Sequence, residues 1–459
     1  MTGSPPSRKG PDVRPGRLPV ADIERNFGDM HPPLARSEAL IEADRCYFCY
    51  DAPCTTACPT GIDIPGFIQK IRSGNIKGSA HTILRENILG GMCARVCPTE
   101  VLCEEACVRN THEDKPVNIG LLQRYATDPI LAGNVTLFAR APDSGNAVAV
   151  VGGGPAGLSC AHRLAMLGHR VTIFNRDAKG GGLNEYGIAA YKTVDDFAQR
   201  EVDYILGIGG IEIRQGMTLG IDFTLEDLRE EYDAVFLGAG LAGINDLGVE
   251  NENAVGVLNA VDYIAELRQA KDKSRLPVGR RVVVIGGGMT AIDIAVQSKL
   301  LGAERVDIVY RRGPAQIGAS RYEQEFAQTK GVSIRHWAKP VRIRVDVDAR
   351  VTGIDFERTA VGKKGRLEGT GEVWTVDADI VFKAVGQRLS FELEGYEELE
   401  KLDGKLAVDE NGKTTLPNVW AGGDCVADGE DLTVTAVQHG KVAAISIDRE
   451  LRALAGRST

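Results

Sequence analysis

Eight of the ten cysteines in this 459-residue chain fall between Cys46 and Cys107. They form two groups, Cys46-x2-Cys49-x4-Cys54-x3-Cys58-Pro59 and Cys93-x3-Cys97-Pro98-x4-Cys103-x3-Cys107. Thiolates spaced this closely can wrap the cube of a [4Fe–4S] cluster, and in the bacterial ferredoxin run the last cysteine, followed by proline, serves a second cluster. Cys58-Pro59 has that form. The alternative is zinc, held at two sites of four thiolates each, although zinc ligands more often come as separated Cys-x-x-Cys pairs. A disulfide framework suits a small secreted domain, and the N-terminus here has no apolar signal core. Cys160 and Cys425 stand apart and read as buried, unreactive thiols.

Two glycine turns form the second set of chemically suggestive residues. Gly152-x-Gly154-x-x-Gly157 follows the apolar run AVAVV and opens the helical pattern Pro155, Ala156, Gly157, Leu158 onward. That strand–turn–helix context is what a pyrophosphate site requires: glycines admit the ligand to the backbone, and the helix start supplies N–H donors. The next strand, VTIF, ends at Asn175, where such units usually place an acidic residue for the ribose hydroxyls. Asparagine can still accept through its carbonyl oxygen. Gly180-Gly181-Gly182-Leu183 is a further tight loop suited to close approach by a ligand.

The second turn, Gly286-x-Gly288-Met289-Thr290-Ala291, repeats the pattern, and its following strand VDIVY ends in Arg311-Arg312. Arginine at this place accommodates a 2′-phosphate, whereas an acidic residue would favour the 2′-hydroxyl. The expected nicotinamide cofactor is therefore NADPH, with NADH possible. Gly422-Gly423-Asp424 adds an acidic side chain and open backbone near the end of the chain.

These residues must be held by a larger frame. The net charge of −9 argues against a nucleic-acid partner, and no apolar run reaches the ~20 residues a membrane span needs, so neither is expected. A cytoplasmic location is expected. The proline-rich residues 1–20 read as a flexible tail, and 21–140 as a helical domain carrying the cysteines, with apolar spacing of three and four in IPGFIQKIRSG and KGSAHTILRENI. Each glycine turn sits in a βαβ unit. The expected boundaries are 141–253 plus 378–459 for the first dinucleotide domain and 254–377 for the second. The stretch from Ala378, including DIVFKAVGQ and NVWAGGDC, is expected to complete the first. The fold class is α/β, with two Rossmann-like domains behind a helical iron–sulfur domain.

The paired turns and the Ala-Gly-Gly-Asp segment resemble the glutathione-reductase-type fold, with FAD in the first domain and the nicotinamide cofactor in the second. Arg45-Cys-x2-Cys, Asp51-Ala-Pro-Cys, Cys58-Pro-Thr, Cys97-Pro-Thr-Glu-x2-Cys and Asn118-Ile-Gly-x2-Gln resemble the N-terminal half of dihydropyrimidine dehydrogenase and its separate bacterial electron-input subunit. The resemblance runs from about residue 30 to the C-terminus. It implies one [4Fe–4S] cluster on Cys46, Cys49, Cys54 and Cys107, and a second on Cys58, Cys97, Cys103 and the side-chain oxygen of Gln123. Cys93 would then bind no iron. It further implies FAD contacts at Val96, Gly152, Gly154, Pro155, Ala156, Gly157, Leu158, Asn175, Gly182, Leu183, Lys192, Gly386, Gly423, Asp424 and Thr433. The family usually has glutamate where Asn175 stands and often arginine where Lys192 stands.

NAD(P)H gives up its electrons in pairs as hydride, FAD can pass them on singly, and each cluster carries one. Such a relay needs no side-chain nucleophile or general base, so no catalytic acid or base is assigned. No long stretch remains after the last helix for an FMN-binding barrel. The resemblance therefore implies a hetero-oligomer, with uracil or thymine reduced on a separate FMN-containing iron–sulfur subunit. The small subunit of glutamate synthase resembles the chain in the same turns and cysteine spacing and is the alternative, along with an NAD(P)H:ferredoxin-type oxidoreductase.

Overall fold

The computed structural model describes residues 12–363, 365–390 and 399–455. The described residues divide into two compact units, one drawn from the ranges 29–188, 192–243 and 387–459, the other from 1–28, 189–191 and 244–386.

The cysteine region, in the first of these units, is helical for local reasons. Asp63 caps Ile64–Arg72 by accepting from the Gly66 N–H, with Pro65 in the first turn. The helix then turns Ile64, Phe67, Ile68 and Ile71 to one buried face. Asn75 caps Ile76–Glu86 in the same way through Gly78. These helices, with Ile119–Ala132, enclose an apolar core against which Cys46, Cys54, Cys58, Cys103 and Cys107 pack. Leu84, Leu89, Met92 and Leu131 join a second core that continues into the neighbouring sheet.

That sheet is parallel and five-stranded. Ala147–Val151 lies at its centre, flanked by Arg170–Asn175 and then Ile211–Gln215 on one side, and by Ala234–Leu237 and then Val419–Ala421 on the other. The near-continuous apolar runs of Ala147–Val151 and Ala234–Leu237 are those of strands buried on both faces. The long C-terminal helix Thr433–Ala455 packs on Pro155–Met166, the helix of the first glycine turn.

The other unit holds a second five-stranded parallel sheet. Its central strands are Ile380–Ala384 and Arg281–Gly286, bordered by Val257–Asn259 and by Arg305–Val309 and Val332–Arg335. DIVFKAVGQ thus differs from its expected place, since its strand completes the second sheet while NVWAGGDC completes the first. Val381 and Phe382 are buried and hydrogen-bonded on both edges, a central-strand position that the local sequence cannot assign to either sheet. An antiparallel sheet of Ala338–Val345, Val351–Val361 and Leu367–Asp377 lies in the same unit.

Residues 1–11 of the expected tail lie outside the described residues. From Asp12 onward the chain is tied to the second unit rather than free. Arg14 exchanges backbone hydrogen bonds with Val278, Arg17 Nε donates to the Val278 carbonyl at 3.0 Å, and Asn26 donates to the Leu300 carbonyl at 3.1 Å. Residues 21–28, expected in the helical domain, belong here too.

Candidate functional site

A cavity in the helical region brings Cys58, Cys93, Cys97 and Cys103 together with Gln123 and Asn87. Cys93 and Cys97 come from the helix Gly90–Val96 and its C-cap, and Gln123 from Ile119–Ala132. Gly120 lies where those two helices meet, a Cβ there reaching ordinary contact distance, 3.4 Å, from the Ala94 carbonyl oxygen. Gln123 Nε2 donates to the Gly90 carbonyl at 2.6 Å, which leaves Oε1 as the amide atom suited to a metal. Asn87 Nδ2 is buried with no protein partner. A thiol-lined chamber with an orphaned donor suits a sulfide-containing cluster, whose potential responds to hydrogen bonds at its sulfurs.

The remaining thiols gather in a second group, half-buried like Cys58, Cys97 and Cys103. Burial pushes Cys54 up to about 11, and the neighbouring Cys46 and Cys107 add to the shift. Burial also raises Cys46, with Cys49 and Cys107 contributing. Cys97 is raised first by its hydrogen bond with Cys93 and then by burial, and Cys103 by burial. Thiols must lose their protons to bind metal, and a cation in the chamber reverses these shifts. Cys160 and Cys425 are fully buried away from both groups.

Two side chains from the sheet region reach into the cysteine helices. Glu201, fully buried on Phe197–Leu206, accepts from the Gly91 and Met92 N–H groups at 2.9 and 3.1 Å, at the start of the helix bearing Cys93. Lys441 Nζ donates to the Thr60 carbonyl at 2.9 Å. Sequence reading missed both, because partners separated by 110 and 381 positions leave no local pattern.

The first glycine turn is built for close approach. Gly152 has φ +99°, and a Cβ on it would lie 2.3 Å from the Gly238 carbonyl oxygen. Gly154 and Gly182 abut, with a Cβ on Gly182 only 2.8 Å from the Gly154 Cα. Asn175 is buried and spans this region: Oδ1 accepts from Gly153 N–H at 3.1 Å, while Nδ2 donates to the carbonyls of Asp177 and Lys179 and to Gln215 Oε1. A carboxylate could not make those donations. The amide oxygen expected to face a ribose thus also closes the loop.

Gly423 lies against Ala156, and burial lifts the nearby Asp424 carboxyl to about 6, with Asp431 adding to it. Thr433 Oγ1 donates to Asn184 Oδ1 at 2.7 Å, next to Leu183. Asn184 Nδ2 is a buried donor without a protein partner, as a polar ligand would need. Val96 packs against the core of this region and Lys192 is buried. Gly386 belongs to the other unit.

In the second turn, Gly286 cannot carry a side chain, for a Cβ would lie 2.1 Å from the Ala384 carbonyl oxygen. Gly288 faces open space at the start of Met289–Leu300, with Thr290 in the first turn and Ala291 fully buried. Arg311 and Arg312 are exposed after the strand Arg305–Val309. Their backbone is pinned, the Arg311 carbonyl accepting from Thr359 Oγ1 at 2.6 Å and that of Arg312 from the Trp337 N–H at 3.1 Å.

Paired dinucleotide turns behind a thiol-bearing helical domain define a class of NAD(P)H-dependent flavin and iron–sulfur oxidoreductases. The chain belongs to the pyridine nucleotide–disulphide oxidoreductase family, whose profile matches residues 146–440. Residues 23–135 match the profile described as dihydropyrimidine dehydrogenase domain II, 4Fe–4S cluster, which removes the zinc alternative. The chain is 34% identical to the glutamate synthase [NADPH] small chain of Escherichia coli, over 95% of this chain and 96% of that one. It is 35% identical to the NAD-dependent dihydropyrimidine dehydrogenase subunit PreT of the same organism, over 93% and 98%. Among solved structures, Mycobacterium tuberculosis FprA in complex with NADPH shares the fold with TM-score 0.58 at 19% identity, over 69% of this chain and 86% of that one. Thioredoxin reductase from T. acidophilum does so with TM-score 0.52 at 20% identity, over 66% and 98%. Among the described residues no helix is long and apolar enough to cross a membrane.

Proposed function

We propose that the chain is the electron-input subunit of a dihydropyrimidine dehydrogenase-type hetero-oligomer. It takes electrons from NADPH and passes them through FAD and two [4Fe–4S] clusters to an FMN-containing iron–sulfur partner that reduces uracil or thymine. The observation that carries this reading is the chamber in which Cys58, Cys97, Cys103 and the oriented amide of Gln123 meet. These four hold one cluster, and Cys46, Cys49, Cys54 and Cys107 hold the other. When bound, the flavin turns a two-electron hydride donor into a source of single electrons for the clusters. The protein binds, orients and excludes water. Gly152, Gly154 and Gly157 admit the FAD pyrophosphate to the start of Pro155–Met166, and Gly286 and Gly288 do the same for NADPH, with Arg311 and Arg312 on its 2′-phosphate.

The test is reconstitution. The purified chain should reduce an artificial acceptor with NADPH but leave uracil unchanged, and uracil turnover should begin when the FMN subunit is added. Uracil reduction by the chain alone would overturn this division of labour. The 34% identity to the glutamate synthase small chain over nearly all of its length supports a second reading. Under it, the co-purifying partner is a large amidotransferase, and adding it starts glutamate formation.

A further inference from the structure

We infer that Lys441 is a positioning residue that raises the reduction potential of the cluster at Cys58, fixing that cluster's place in the relay. This rests on the ligand assignment proposed above. Lys441 is only 8% exposed, and its ammonium is held by the Thr60 carbonyl at 2.9 Å and Glu86 Oε2 at 3.1 Å. Thr60 is two residues beyond Cys58, and its hydroxyl lies 3.3 Å from the Cys58 sulfur. Val434, seven residues before Lys441 and on the same face of the C-terminal helix, lines the thiol chamber itself.

The helix that carries this charge packs closely against Pro155–Met166. A Cβ on Gly440 would lie 2.1 Å from the Ala156 carbonyl oxygen, so the backbone sits directly on the helix that opens the flavin turn. The helix packed on the proposed flavin turn thus brings a buried cation to the loop of a cluster ligand. Burial lowers the pKa of the Lys441 ammonium, and its hydrogen bond and ion pair with Glu86 oppose that, as does Cys58. Glu86 is shared, pairing also with Arg85 at 3.0 Å, and Arg163 donates to the Arg85 carbonyl at 2.6 Å.

The step concerned is a one-electron reduction in which no bond forms or breaks and no proton moves. The electron comes from the two-electron oxidation of NADPH. Added negative charge is stabilised by a nearby cation in a medium of low dielectric, and cluster potentials respond to net charge and hydrogen bonding in this way. A partly exposed Glu86 offsets only some of the effect.

The experiment is an EPR-monitored redox titration of the holoprotein, with iron, flavin and thermal stability measured alongside. In Lys441→Gln one cluster should become harder to reduce, its equilibrium constant falling threefold to tenfold, up to about 59 mV for one electron, while the other is unmoved. Lys441→Arg should restore the wild-type value. Glu86→Gln should shift the same cluster the opposite way, a change of sign that a merely structural role does not produce. Unchanged midpoints in an iron-replete Lys441→Gln protein overturn the inference. If that variant loses iron, the absence of an upward shift in Glu86→Gln overturns it instead. Cys58→Ser separately tests the ligand assignment: retention of both wild-type EPR signals there refutes the assignment, whatever the Lys441 result.

Discussion

The amide of Gln123 donates to the carbonyl of Gly90 at 2.6 Å, joining the middle of one helix to the first residue of another that carries Cys93 and ends at Cys97. With Nε2 so committed, Oε1 is the atom available to iron. Gln123→Ala should therefore lose one cluster, about four of roughly eight irons per chain, with its EPR signal. Cys93→Ala should keep both. Iron analysis and EPR of the two variants check this, and loss of a cluster only from the Cys93 variant would reverse the assignment.

Glu201 should make stability depend on pH. Burial lifts its carboxyl to about 8, against the opposing pull of the Met92 N–H and Arg95, whereas an unfolded glutamate titrates near ~4.3. Between those values the folded chain holds a proton that the unfolded chain releases. The stabilisation is then complete below the unfolded value and is lost as pH rises toward 8, at up to about 1.4 kcal/mol per unit. Glu201→Gln keeps an acceptor for Gly91 and Met92 but cannot titrate. Its melting temperature should fall less steeply between pH 5 and 8 (roughly the window set by the two pKa values) than that of the wild type. Equal slopes would mean that Glu201 is not the titrating group.

Arg311 and Arg312 are exposed, and their backbone is fixed by Thr359 and Trp337. A charge-assisted hydrogen bond to phosphate contributes about 1.5–3 kcal/mol. Replacing both with alanine should then lower kcat/KM for NADPH by roughly 10- to 150-fold and leave that for NADH nearly unchanged. Steady-state kinetics with the two cofactors decide it, and parallel losses would remove the 2′-phosphate role.

The two glycine turns should respond differently to alanine. At Gly152 the methyl group would meet the Gly238 carbonyl oxygen and impose φ +99° on a residue that avoids it. Gly152→Ala should lose at least ~1 kcal/mol of stability together with bound FAD. Gly288→Ala meets nothing within 4 Å, so it should melt like the wild type and show only a raised KM for NAD(P)H. Flavin absorbance, thermal melts and kinetics distinguish the two outcomes.

Much of the fold was legible because its evidence is local. Glycine turns between apolar strands and helices point to dinucleotide domains, since the ligand demands that backbone. Capped amphipathic helices at Ile64–Arg72 and Ile76–Glu86 follow from Asp63, Asn75 and apolar spacing. The clustered thiols pointed to iron–sulfur chemistry with zinc as the alternative, the profile match removed zinc, and the ligand sorting with Gln123 came from family resemblance. Only the tertiary structure decided that Ile380–Ala384 enters the second sheet and that residues 12–28 pack there too, because a buried strand or tether matches any complementary apolar edge. It alone turned Asn175 into the clasp of its own loop and brought Glu201 and Lys441 to the cysteines. Those contacts join residues from 22 to 381 positions apart, where no periodicity records which donor will meet which acceptor.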